Sequence, residues 1–116
     1  FDDLTEERIE KYRNAPFRAP LIVALVSTKK DHPKVPEMEQ IISTGTAGQN
    51  IMLALSALGY GAIWRTGSFA FNNKISEKFG LNENQTIIGY IYIGTPMGKK
   101  KSLPEMNTND YISIWD

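Results

Sequence analysis

The sequence has no cysteine among its 116 residues, which excludes a disulfide framework, a thiolate nucleophile and Cys-ligated zinc. It has one histidine, His32, too few imidazoles for a typical zinc site and no second partner for a Ser-His-Asp triad. Net charge is also missing. Thirteen basic residues balance thirteen acidic ones, so no long-range field draws in nucleic acid or an anionic membrane. No run approaches the roughly 18 apolar residues of a membrane span. Neither nucleic acid nor membrane is expected as a partner, and a cytoplasmic location is the expectation, although a lack of cysteine is compatible with other compartments. The chain opens without methionine, and Phe1-Asp2-Asp3-Leu4 has neither the basic start nor the apolar run of a signal peptide. The expectation is that an upstream part is missing.

What is present suits a folded domain. Hydrophobic residues make up 41%, enough for a core, and the length is that of one domain, so residues 1–116 are read as a single unit. Thr5 to Tyr12 is rich in helix formers, with Asp2 and Asp3 as candidate caps. Pro16 and Pro20 are expected to push their preceding residues into extended geometry. Leu21 to Val26 is continuously apolar and β-branched, the pattern of a central strand covered on both faces. The polar stretch from Lys29 to Pro36 reads as a surface loop.

The longest helical candidate runs from about Glu37 to Leu58, with apolar residues all round the wheel and a small middle, Ser43 to Gly48. Its interior glycines each cost roughly 1 kcal/mol relative to alanine, so the helix is expected to be buried on most sides. The small centre admits two readings: close approach of another backbone at a subunit interface, or burial within one subunit. Gly59 is placed to cap the helix, Gly61 to take a second unusual backbone angle, and Ala62 to Arg65 to form a short extended segment. A helix capped by Asn72 or Asn73 and ending near Phe79 follows, then a strand over Thr86 to Ile93. This order predicts an α/β or α+β three-layer domain.

Two glycine motifs fail on context. Gly59-Tyr60-Gly61 has Trp64 where a dinucleotide fingerprint needs its third glycine, and it follows a helix instead of a strand. Gly45 to Gly48 lacks the Gly-Lys-Ser/Thr ending of a phosphate loop. No metal site is expected. The informative segment is Gly59 to Gly67, which joins flexible glycines, an indole, a guanidinium and a hydroxyl at the end of a predicted strand. Such a set suits a planar, electron-accepting ligand with polar edges. Residue type alone favours the plainer alternative, with Trp64 in the core and Arg65 in a surface ion pair.

Asn14-Ala-Pro-Phe-Arg-Ala-Pro20 leading into a strand, His32-Pro-Lys-Val-Pro36, the helix from Glu37 through Gln40 and Gly48, the Gly59 to Gly67 segment, and Ile88 to Pro96 occur in order. Over about residues 11 to 97 this series resembles the consecutive landmarks of the nitroreductase family, in its short-chain branch. The resemblance implies an α+β fold, a three-layer α/β/α sandwich whose mostly antiparallel sheet is flanked by helices, with a long central helix at the dimer interface. It implies a homodimer holding one FMN in each of two pockets built from both subunits. Hydride would pass from NAD(P)H through the flavin to a nitroaromatic, quinone or enone, with no side chain acting as a catalytic acid or base.

By the same resemblance, Trp64, Arg65 and Thr66 contact the flavin, with Gly67 as a backbone candidate, and Ala54 to Gly59 lies on the nicotinamide side. Arg65 would favour negative charge at the flavin's N1 and O2 edge. The family's Arg-Arg-Ser motif, which holds the FMN phosphate, is not in this sequence, so the pocket of residues 1–116 is expected to be incomplete. Lys99 or Lys101 could assist as point charges. The rival expectation is a non-catalytic flavin-binding or structural dimerisation module on the same fold.

Overall fold

The computed structural model describes residues 5–98 and 101–115. Helix α1 (Glu6–Asn14) starts where the Thr5 side chain accepts from the Arg8 N–H, with Glu6 and Glu7 in the first turn and Lys11 and Arg13 in the last. The charges match the helix dipole at both ends. The expected caps Asp2 and Asp3 lie outside the described residues. A 3-10 turn over Ala15–Arg18 follows. Ala15, expected to be extended before Pro16, is helical with φ −57° and ψ −41°. Pro16 sits in the first turn, where its missing N–H has no intrahelical acceptor to lose. Ala19, before Pro20, is extended as expected.

Strand β1 (Leu21–Thr28), helix α2 (Glu37–Ala57), strand β2 (Gly61–Arg65), helix α3 (Asn73–Lys78) and strand β3 (Gln85–Gly94) complete the frame, with a 3-10 turn at Thr108–Tyr111. The sheet is antiparallel, in the order β1-β3-β2. β1 was expected to be central, yet among the described strands it lies at an edge. Its apolar run is explained by α2 on one face, while Leu21 and Ala24 stay exposed. The central strand is β3, which alternates buried and half-buried positions from Ile87 to Gly94. A bulge between Leu25 and Val26 leaves Ile88 without a partner in the register.

Both longer turns out of helices close the same way. At the end of α2 the Gly59 N–H donates to the Ser56 carbonyl (3.1 Å) and the Tyr60 N–H to Leu55 (2.9 Å), with Gly59 at φ +84°. This double bond pattern needs a left-handed residue, which only glycine adopts without strain. Gly80 repeats it after α3. Gly61, expected to be unusual, is an ordinary strand residue opposite Gly94. Its missing side chain instead admits Pro96, whose Cγ would lie 3.2 Å from a Cβ there.

The core sits between α2 and the sheet: Leu25, Ile91 and Ile93, with Val23, Met52, Leu55, Ala62 and Trp64 packed against them. Ile91 is fully buried. Only a stripe of α2 (Gln40, Ile41, Thr44, Gly45, Gly48, Met52, Leu55) loses solvent, and Gly48 alone is buried. Within this single chain the helix is covered on one side, not on most sides as expected, because the three described strands face one stripe of it. Met38, Ile42, Leu53 and Leu58 are 59–73% exposed. The opposite sheet face carries Ile63, Arg65, Tyr90 and Tyr92 by strand alternation. There α1 is tied in through Tyr12, whose ring meets Phe69 edge-on at 4.9 Å.

Candidate functional site

Trp64 stands opposite Ile91, and Arg65 opposite Tyr90, so consecutive side chains leave β2 on opposite faces. The Trp64 indole enters the core between α2 and β3 at the two points where neither has a side chain. A Cβ on Gly48 would lie 2.5 Å from both Trp64 Cζ3 and Leu25 Cδ1, and one on Gly89 would fall on the indole's Nε1 edge. The small residue at the middle of α2 thus makes room for a ring of its own chain. A Cβ on Gly45, three residues earlier, would meet nothing within 4 Å.

Arg65 is exposed, with its guanidinium carbon 5.8 Å from the Tyr92 ring centroid, at the outer range of a cation–π contact. The surface ion pair suggested by residue type is not made among the described residues. The salt bridge among them is Lys29–Glu37, at 3.0 Å. Arg65 lines an open groove of about 420 Å³ together with Arg18, Pro20, Ile63, Tyr92 and Pro96. Thr66 and Gly67 follow, both exposed. Gly67 has φ +79°, and a Cβ there would meet nothing within 4 Å, so a flat group can approach its backbone closely.

The segment after Gly67 is fixed by residues that sequence patterns did not single out. Its turn is closed by the Ala70 N–H donating to the Gly67 carbonyl (3.1 Å). The Ser68 hydroxyl bonds to the Tyr12 hydroxyl (3.3 Å), and the Tyr90 hydroxyl donates to the Phe69 carbonyl (3.3 Å). Burial, and secondarily the nearby Tyr92, raises the Tyr90 phenol above its usual value of 10.0, which keeps that donor protonated. Two tyrosines, Tyr90 and Tyr92, alternating with isoleucines in β3 are the local signal that could have marked it.

Ala54 to Gly59, expected on the nicotinamide side and expected to be buried, is largely exposed, with Leu55 alone half-buried. This end of α2 borders a second groove of about 410 Å³ with Gln49, Met52, Ser56, Tyr60 and Pro96. Gly61, Ala62 and Pro96 line both grooves, so they meet across the start of β2. Lys99 lies outside the described residues, and Lys101 is exposed in an irregular segment. His32 is exposed, and its Nδ1 accepts from the Lys34 N–H at 3.2 Å.

The Arg65 to Gly67 step therefore presents a cation, a hydroxyl and an open backbone side by side. That donor set fits the polar edge of a planar heterocycle such as a flavin.

Comparison with known proteins assigns the chain to a family. YdjA of Escherichia coli, provisionally named an NAD(P)H nitroreductase, is 43% identical over 94 residues, covering 81% of this chain and 51% of its own. A Haemophilus influenzae protein of the same provisional name is 33% identical over 115 residues, covering 96% and 61%. The chain thus spans about half to three fifths of the length of these relatives. A nitroreductase-like protein from Bacillus cereus superposes with a TM-score of 0.76 at 22% identity, over 96% of this chain and 61% of that one. A mutant of the FMN and NADPH-dependent nitroreductase NfnB gives 0.68 at 19% identity, over 96% and 50%. These likenesses establish the α+β fold with its antiparallel sheet. The family model for nitroreductases matches residues 2–95, a span that runs from α1 through β3 and includes the Trp64 to Gly67 step, and the chain belongs to the nitroreductase family.

Proposed function

We propose that the protein is an FMN-dependent oxidoreductase passing hydride from NAD(P)H to a nitroaromatic, quinone or enone acceptor. The observation that carries this reading is the exposed Arg65-Thr66-Gly67 step at the end of β2, beside an open groove, in a chain of oxidoreductase ancestry. Bound FMN supplies the hydride chemistry. The protein's residues bind and orient. With FMN bound, the Arg65 guanidinium would favour negative charge on the ring's polar edge, and the Thr66 hydroxyl and the Gly67 backbone would offer it hydrogen bonds. The Trp64 ring is turned into the core, so its part is to hold the neighbours in place. NAD(P)H approaches on the side of Ala54 to Gly59, and a cytoplasmic homodimer completes the pocket across the exposed face of α2.

The test is the visible absorption of the purified protein with FMN, followed by NADH turnover with a quinone. Stoichiometric FMN with turnover supports the reading. FMN without turnover makes the protein a flavin carrier, and a protein that takes up no FMN rejects the flavin altogether.

A further inference from the structure

We infer that Gly48 and Gly89 are positioning residues for the flavin-contacting step: together they hold the Trp64 indole, and through it fix where Arg65, Thr66 and Gly67 stand. The inference rests on the proposed flavin site. β2 is five residues long and, among the described strands, hydrogen-bonds on one side only, to β3. Its lateral position relative to α2 therefore depends on the side chains it sends into the core, which are Ala62 and Trp64. Of the two only Trp64 is large, and the residue after it is Arg65.

The indole is held by the absence of two Cβ atoms. A methyl at Gly48 would stand 2.5 Å from Trp64 Cζ3 and 3.1 Å from Cη2; one at Gly89 would stand 2.6 Å from Cε2 and 3.0 Å from Cζ2. Carbon atoms in contact prefer about 3.5–4.0 Å, so alanine at either position pushes the ring away. The backbone of Gly89 and the helix backbone at Gly48 cannot yield as a flexible side chain would. A displaced ring carries residue 64 with it, and the three exposed residues that follow move relative to both grooves.

The test uses Gly89→Ala, Trp64→Leu and the double variant, since leucine ends at its Cδ atoms, short of the Nε1 and Cε2 positions that an alanine at position 89 would strike. Amide hydrogen exchange is read at residues 65–67 without FMN, and the flavin's midpoint potential is read with it. Gly89→Ala is expected to raise exchange at 65–67 about ten-fold and to shift the potential, with the double variant returning both toward wild type. A Gly89→Ala protein that melts earlier but keeps wild-type exchange and potential overturns the inference. Should that variant not fold, Trp64→Leu alone decides, with faster exchange at 65–67 expected and unchanged exchange overturning it. A wild-type protein that takes up no FMN sinks the flavin reading, while exchange in the flavin-free variants still decides whether the indole fixes residues 65–67.

Discussion

The Tyr90 hydroxyl donates to the Phe69 carbonyl at 3.3 Å, across 21 residues of chain. One phenol in the central strand thereby holds the segment that follows Gly67. Tyr90→Phe removes that bond and little else. It is expected to lower unfolding stability by about 0.5–1.5 kcal/mol in denaturant titration, with faster amide exchange confined to residues 66–72.

The same group gives a pH dependence. The folded-state Tyr90 pKa is raised, first by burial and then by Tyr92, so its stabilising contribution is complete below the ordinary phenol value and is lost as pH rises through the folded value. Melting curves from about pH 8 to about pH 12 should show a fall at the alkaline end that is shallower in Tyr90→Phe. Parallel curves would refute the assignment.

Ile91 is fully buried, beside Leu25 and Ile93. Ile91→Ala is expected to cost about 2–5 kcal/mol, the range for a buried aliphatic truncated to alanine, and calorimetry should register it as a single lower transition. A smaller loss would mean that the strands close over the cavity.

Gln40 ties the loop before α2 to the helix: its Nε2 donates to the carbonyls of Lys30 (3.0 Å) and Val35 (3.1 Å), and its Oε1 accepts from the Lys30 N–H (2.9 Å). Gln40→Ala should loosen residues 30–35 in hydrogen exchange at a cost of about 1–3 kcal/mol. Exchange in the sheet should stay at its wild-type rate. The Lys29–Glu37 pair, between exposed side chains, is no substitute for it.

For the proposed site, Arg65→Ala in the FMN-loaded protein should lower the flavin's midpoint potential, because a cation near a ring edge favours added negative charge. Spectroelectrochemistry reads the change directly. An unaltered potential would remove Arg65 from the flavin.

Local signals located the elements well. The expected helix from Glu37 to Leu58 is Glu37–Ala57, and the strand expected over Thr86 to Ile93 is Gln85–Gly94, because Gly59, Pro36 and Gly94-Thr95-Pro96 punctuate the chain locally. Position in the sheet was not legible in the same way. An apolar run such as Leu21 to Val26 reports that something covers it, not whether a strand lies on each side. The Trp64 to Gly67 step could be singled out by its composition, but the inward turn of the indole depends on Gly48 and Gly89, distant in sequence, and no local pattern carries that. Tyr12, Phe69 and Tyr90 went unnoticed for the same reason: each is ordinary alone.

The order β1-β3-β2 has a consequence for how the chain comes off the ribosome. β1 and β2 are made first, yet neither hydrogen-bonds to the other, and both pair with β3, the last of the three to be synthesised. Leu21 meets Ile93 only after the intervening chain has been translated. Until then α2 has no finished sheet to rest on, and two apolar strands wait with open edges, the state in which nascent chains aggregate or recruit chaperones. Synthesis stalled before Gln85 should leave nascent chains that expose both edges at once.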